Sequence, residues 1–367
     1  MSDPAHDTYV RIARHAAMNQ PEPLVDTLRS VGRPPVNFSA VLRYHHLAPT
    51  ILATLEEADA LDAIDPKLLF AIRSARPKLP SAETLLEAFT EIRTALEGSR
   101  IDVVLLKGLF FAERLYGGYH RRPQFDLDML IHARDRRIAH RTLESLGYAR
   151  AGYDLHSTTY VRGPLKADVH GWLRRAPAYR INEADVWKGV HAESITGVDV
   201  PTLSDEYALV LLGVSCFEDL GQGMIKLKSL TDLVLLLRQI DALTEWDTFW
   251  QRRRLERIDG IVAHVFAIAV ALLEAESEVP RLHAGLCARG DVAHQVTREL
   301  ALALTFAPRK HAANLAWFGS VYPGAMWRYL TWFWLGGFPA NLSQLQSGRV
   351  LATVRAAFKS APPAAGG

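Results

Sequence analysis

Residues 101–106, IDVVLL, break the helical period that the first hundred residues carry. They are apolar, rich in β-branched side chains and too short for a helix of their own, which makes them a buried strand. Lys107 and Gly108 follow at once, and LFFAERLY then runs at helical spacing until Gly117 and Gly118 end it. A strand, a glycine turn and a helix in that order require further strands to cover the first one. DLDMLI, residues 126–131, alternates acidic and apolar side chains as a half-buried strand does. Residues 135–146 form an amphipathic helix closed by Gly147, and HSTTYVR and KADVHGWL read as two more strands turned at Gly163 and Pro164.

This small α/β unit lies between helical regions. Apolar residues recur at helical spacing from Phe38 to Leu55, and again at Leu85, Phe89, Ile92 and Leu96 after the helix entrance at Pro80 and Ser81. The same period returns beyond Ser204 in EYALVLLGVSCFEDL, KSLTDLVLLLRQI, EWDTFWQRRRL, DGIVAHVFAIAVALLEA and VAHQVTRELALAL. The expected organisation is a helical region over 1–98, an α/β core over 99–200, a helical domain over 201–358 and a disordered tail over 359–367, which ends in APPAAGG.

Composition narrows the partners. The 367 residues are 49% apolar and 22% charged, ample for a globular core, and 42 basic against 40 acidic residues leave a formal charge of only +2. A protein that tracks a long nucleic acid shows a far larger basic excess, so long nucleic acid is a disfavoured partner. Cys216 and Cys287 are too few for a disulfide framework and read as buried thiols of a reducing, cytoplasmic protein. The N-terminal MSDPAHDTYVRIARHAAMNQ lacks the apolar stretch of an export signal. AMWRYLTWFWLGGFPANL, broken by Arg328, Gly336, Gly337 and Pro339, is too interrupted to span a bilayer. Its aromatic cluster Trp327, Trp332, Phe333 and Trp334 reads as packing, with peripheral membrane contact as the alternative.

The chemistry sits in the acidic strands. Residues two apart on a strand share a face, so Asp126 and Asp128 project together while Leu127 and Met129 face a core. Two close carboxylates raise each other's pKa unless a cation lies between them, and a hard divalent ion resolves that conflict. Asp168 and His170 repeat the arrangement on a later strand, a third carboxylate of the kind a two-metal site needs if the strands are adjacent. Lys107 and Gly108 supply a charge and an open backbone turn for an anion, and Arg121 and Arg122 offer planar forks for phosphate. A lone D-x-D is more often a solvated strand end, and a lone Arg-Arg pair is usually surface charge. Here the order matters: a K-G turn, an Arg, a D-x-D strand and a D-x-H strand.

These residues, VVLLKGLFFAERLYGGYHRRPQFDLDMLI followed by LESLGY and KADVHGWL, resemble the bacterial uncharacterised nucleotidyltransferase family of the DNA polymerase β-like superfamily. RYHHLAPTIL and LKSLTDLVLLL resemble its helical flanks, so that the likeness runs from about Phe38 to Leu237. The resemblance implies an α+β fold with a small mixed sheet, and an enzyme that uses a nucleoside triphosphate with Mg2+ or Mn2+. It assigns Asp126, Asp128 and Asp168 to metal and catalysis, Lys107, Gly108 and Arg122 to the nucleotide, and His170, Lys228 and Asp232 to the substrate. It also implies transfer of a nucleotidyl group to a hydroxyl or phosphate of a small molecule or peptide, with natural-product or polysaccharide chemistry as the analogy. Taken alone, Asp232 in an apolar helix reads instead as an acid that meets solvent or caps a neighbour.

Two departures from the family pattern stand out. Gly171 intervenes before Trp172, which predicts a bulge at the end of that strand, and LLGVSCFED lacks the histidine common in that helix, which puts its substrate role in doubt. Two other readings remain beside the first: a glycosyltransferase-like enzyme taking a nucleotide sugar through D-x-D, and a noncatalytic nucleotide-binding or scaffold protein.

Overall fold

The computed structural model describes residues 4–153, 156–174, 179–221, 225–289 and 296–306. The C-terminal aromatic cluster and the tail over 359–367 lie outside these residues. Within them the chain is a mixed α+β protein built on one sheet of seven strands. The strands are β1 (Val104–Leu105), β2 (Leu127–Leu130), β3 (Ala149–Tyr153), β4 (Ser157–Arg162), β5 (Leu165–His170), β6 (His191–Ile195) and β7 (Val198–Thr202). Their order across the sheet is β3-β4-β5-β2-β1-β7-β6; β1 runs parallel to β7 and β2 parallel to β5, while the other pairs are antiparallel.

The expected elements form where the patterns place them. The helix Leu109–Tyr116 ends at Gly117 in the left-handed conformation. Ser81 caps the helix Ala82–Gly98 by accepting the Thr84 N–H, and Gly163 and Pro164 make the two-residue turn between β4 and β5. The helical stretch expected from Phe38 to Leu55 is two helices, Phe38–Tyr44 and Ala48–Glu57, with His46 between them at φ 58. The bulge expected at Gly171 is absent. β4 and β5 pair without a register shift, and Gly171 extends the ladder by donating its N–H to the His156 carbonyl at 2.8 Å. The glycine answers a packing demand instead: a Cβ there would lie 2.7 Å from Arg136 Cδ and 3.3 Å from Ala133 Cα.

One apolar core runs from Tyr9 to Leu304 and joins sheet and helices. The helix Pro4–Ala17 packs on Ala48–Glu57 and on the later helices Leu227–Ile240 and Asp259–Leu273, so the helical regions before and after the sheet pack on each other. Leu227–Ile240 also packs on Leu109–Tyr116, the helix that leaves the K-G turn. No helix of the described residues is long and apolar enough to cross a membrane. Cys216 is buried as expected; Cys287, on the short helix Pro280–Ala288, is exposed, which corrects the expectation of two buried thiols.

Candidate active site

The parallel pairing of β2 with β5 brings the acidic strands together. Asp128 lies directly opposite Asp168, and Leu130 opposite His170. Opposed residues on neighbouring strands point to the same face, so the three carboxylates share one side of the sheet. β1 lies on the other flank of β2, where the Leu106 N–H donates to the Asp128 carbonyl at 2.9 Å. That register carries Lys107 over the acids, with its Nζ 3.3 Å from Asp128 Oδ2. His170 Nε2 lies 3.2 Å from Asp128 Oδ1.

A residue the sequence reading did not single out completes this cluster. Lys166 sits two positions before Asp168 on β5, and its Nζ donates to Asp168 Oδ2 at 2.7 Å and to Asp126 Oδ2 at 3.0 Å. Thr159, paired with Asp168 across β4 and β5, donates its hydroxyl to the other Asp168 oxygen. The signal was present in the K-x-D spacing, which places lysine and aspartate on one strand face.

The carboxylates differ in their surroundings. Asp128, 5% exposed, would be pushed up by burial, but Lys107 and His170 outweigh that and hold it below the usual carboxylate range. Asp126, 28% exposed, is raised by burial and by the Asp128 charge despite Lys107 and Lys166. Three carboxylates against two ammoniums leave one negative charge, and Asp126 bears it least comfortably. Hard oxygen donors with an uncompensated charge suit a hard divalent cation, so Asp126 and Asp128 fit the ion the sequence implies. Asp168 is already engaged by Lys166 and Thr159, and among the described residues no three acidic, histidine or cysteine side chains converge into a ready-made metal site.

Arg122 and Asp232 meet in a second cluster. Arg122 Nε and Nη2 donate to the two Asp232 oxygens at 3.0 and 2.8 Å, and Nη1 donates to Gly108 O and Gln124 Oε1. Tyr116 donates its hydroxyl to Asp232 Oδ1 at 2.8 Å, and Lys228 Nζ lies 3.4 Å from Oδ2. Asp232 is therefore neither a solvent-facing acid nor a cap; it is an internal counter-ion, and the Arg122 fork is turned onto it. Arg122 and Lys228 against Asp232 leave one positive charge. Burial first, and then Arg122, lowers the Lys228 ammonium to about 8. Asp232 itself would be raised by burial, but Arg122 and Lys228 bring it down to about 2.

A cleft of about 410 Å³ joins the two clusters. Lys107, Gly108, Asp126 and Asp128 line it from the sheet, Arg122, Lys228 and Asp232 line it beyond, and Ser215, Cys216 and Asp219 come from the helix Asp205–Gly221. That helix thus contributes to the cleft although it lacks the histidine that the resemblance led us to expect there. His46 and Phe125 stand at the edge with ring centroids 4.4 Å apart. Burial and the nearby Lys226 and Lys228 hold the His46 imidazole neutral, with a pKa of about 3. Gly108 enters the helix at φ 78, where a Cβ would lie 3.0 Å from Gln124 Oε1. Asp168 and His170, to which the resemblance gives roles in catalysis and substrate binding, lie on the neighbouring strand, where His170 reaches the cleft through Asp128.

Residues 35–274, more than half of the chain, match the model of a family described as uncharacterised nucleotidyltransferase. Among curated proteins, no sequence matches. Among solved structures, the crystal structure of an antigenic nucleotidyltransferase-like protein from Paracoccidioides brasiliensis aligns at 15% identity and a TM-score of 0.33, covering 50% of this chain and 93% of that one. At that level the likeness carries nothing about the site.

Proposed function

This chain belongs to the uncharacterised nucleotidyltransferase family, and from that premise we propose that it is a divalent-metal-dependent enzyme that moves a nucleoside monophosphate from a nucleoside triphosphate to a hydroxyl or phosphate oxygen of a small molecule or peptide. The observation that carries the reading is the polarity of the cleft. One wall holds the carboxylates with a net negative charge, and the other holds Arg122 and Lys228 with a net positive one. A triphosphate with its cation has the same two-sided character.

In this reading Asp126 and Asp128 would hold a magnesium or manganese ion, which when bound would supply charge to offset that of the triphosphate. Lys107 and the open backbone at Gly108 receive phosphate oxygens at the head of the helix Leu109–Tyr116. The buried charge of Arg122, fixed by Asp232, and that of Lys228 draw the anion inward from the opposite wall. Asp168 accepts a hydrogen bond from the acceptor hydroxyl and orients it. The acceptor oxygen forms a bond to the α-phosphorus, the bond to the bridging oxygen breaks, and its electron pair leaves with pyrophosphate. The hydroxyl proton passes to solvent by way of Asp168. His170 fixes Asp128, and Ser215 and Asp219 face the space left for the acceptor.

The test is a thermal-shift screen of the wild type and Asp126→Asn/Asp128→Asn against ATP, GTP, CTP, UTP and UDP-sugars, with and without magnesium. Magnesium-dependent stabilisation by a triphosphate, lost in the double variant, is the expected outcome and names the donor. Stabilisation by UDP-sugars alone would replace nucleotidyl with glycosyl transfer. No response to any nucleotide would favour a noncatalytic role.

A further inference from the structure

We propose that Lys166 is a built-in cation of the acid cluster: its ammonium holds the place between Asp126 and Asp168 that a second divalent ion would need, and the site takes one ion, at Asp126 and Asp128. This rests on the metal-dependent reading above and fixes its stoichiometry. Lys166 Nζ reaches Asp126 at 3.0 Å and Asp168 at 2.7 Å, both as charge-assisted hydrogen bonds. The other oxygen of Asp168 is taken by the Thr159 hydroxyl. Each carboxylate oxygen of Asp168 therefore already accepts one hydrogen bond from the chain itself, with one lone pair left for an acceptor hydroxyl but a cation in the place of a second ion.

The lysine is placed by the sheet rather than by chance at the surface. Lys166 pairs with Val161 and Asp168 with Thr159 on β4, while Asp168 also pairs with Asp128 on β2. With strands on both sides of β5, the register that sets Asp168 beside Asp128 also presents Lys166 on the same face of the sheet. Its side chain is 42% exposed, so the stem reaches in from the rim and the ammonium ends among the acids.

Charge then limits the ions. The three carboxylates with Lys107 and Lys166 carry one negative charge; one divalent ion turns this to one positive charge, which suits an incoming polyanion. A second ion would bring the cluster to three positive charges and would share carboxylate oxygens with an ammonium. Without Lys166 the cluster carries two negative charges and has an oxygen of Asp168 free. Lys166 is thus a positioning residue, which fixes the Asp168 carboxylate beside Asp126 by a hydrogen bond to each.

The experiment counts ions. Mn2+ binding to the full chain is followed by the electron paramagnetic resonance signal of free Mn2+. It is measured alone and with the α,β-methylene analogue of whichever triphosphate stabilises the chain, for wild type, Lys166→Met, Lys166→Arg and Asp126→Asn/Asp128→Asn. The proposal expects one Mn2+ per wild-type chain, the same for Lys166→Arg, and none at this site in the double aspartate variant. Lys166→Met is expected to take a second ion or to bind the first at least tenfold more tightly. Two ions in the wild type overturn the proposal and leave the metal-dependent reading standing, and this arm needs no variant to fold. A folded Lys166→Met with unchanged count and affinity also overturns it. Absence of Mn2+ binding by the wild type, or binding that survives loss of both aspartates, overturns the metal-dependent reading and the proposal with it.

Discussion

Arg122 and Asp232, 110 positions apart, close a bidentate ion pair between the segment that leads into β2 and the helix Leu227–Ile240. Their side chains are 3% and 2% exposed. The pair fastens the C-terminal helices to the sheet at the back of the cleft, with Tyr116 and Lys228 on the same carboxylate. Removing one member of a buried pair strands the other charge, which costs about 3–5 kcal/mol, whereas replacing both by apolar side chains is often close to neutral. Asp232→Ala is therefore expected to lower unfolding stability by about that amount in urea titrations. Arg122→Met/Asp232→Leu should recover at least half of it. A loss below about 1 kcal/mol for the single variant would show that the pair does not anchor the helix.

Asp126 has the opposite character. Its carboxyl is raised by burial and by Asp128, so its ionised form is disfavoured in the folded chain. Between the unfolded and the raised folded pKa the native state binds more protons, and stability from this group falls as pH rises through that window. Asp126→Asn removes the penalty. Its melting temperature at neutral pH should equal or exceed that of the wild type, while magnesium-dependent stabilisation by a triphosphate disappears. A fall in the melting temperature of the folded apo variant would mean that the contact with Lys166 outweighs the repulsion from Asp128.

Lys228 predicts how binding responds to alkali. Its ammonium, lowered to about 8 by burial and by Arg122 and Lys107 against the pull of Asp232, is charged at pH 7 and loses its proton as pH rises past that value. A polyanion binds the charged form, so triphosphate affinity should fall between pH 7.5 and 9.5. Calorimetry at pH 8 in buffers of different ionisation enthalpy should detect proton uptake on binding. Lys228→Met should bind more weakly at pH 7 and show a flatter profile over the same range. Identical profiles for the two proteins would remove Lys228 from the phosphate-binding wall.

Much of the site was legible because its residues lie on elements with strong local signals. The K-G turn is marked by the change of period at residues 101–108, and D-x-D and D-x-H alternate with apolar residues that fill the core. The adjacency of β2 and β5 was not legible, because strand pairing is a long-range relation that neither strand encodes alone. Three strands carried weak patterns. β3 is an exposed edge strand with a register shift near Gly152, so it has no apolar face to alternate with a polar one. β6 and β7 turn at Thr196 and Gly197, both at positive φ, and a threonine gives little warning of such a turn. The inward role of Asp232 was hidden for a related reason: a single acid in LTDLVLLL looks like a helix-face charge until Arg122 is folded against it. Lys166 is the instructive omission, since the spacing that selected Asp168 and His170 selects it equally.

Gly108 and Gly163 separate backbone strain from site geometry. Both have positive φ, 78 and 57 respectively, so alanine at either is strained, at a cost of at least about 1 kcal/mol and more at Gly108, whose ψ of −111 lies outside the left-handed helical region. Around Gly163, in the turn between β4 and β5, nothing lies within 4 Å of an added Cβ. At Gly108 the added carbon would meet Gln124 Oε1 at 3.0 Å, and that oxygen accepts a hydrogen bond from Arg122, which also donates to the Gly108 carbonyl. Gly163→Ala should therefore lose only stability and keep wild-type triphosphate affinity. Gly108→Ala should lose stability and weaken triphosphate binding at least tenfold, because the carbon crowds the turn proposed to receive phosphate and displaces a ligand of Arg122. Calorimetric affinities for the two folded variants decide the matter. Equal affinities would mean that the glycine at the strand-to-helix turn is needed for the fold alone, and would move the phosphates away from Gly108.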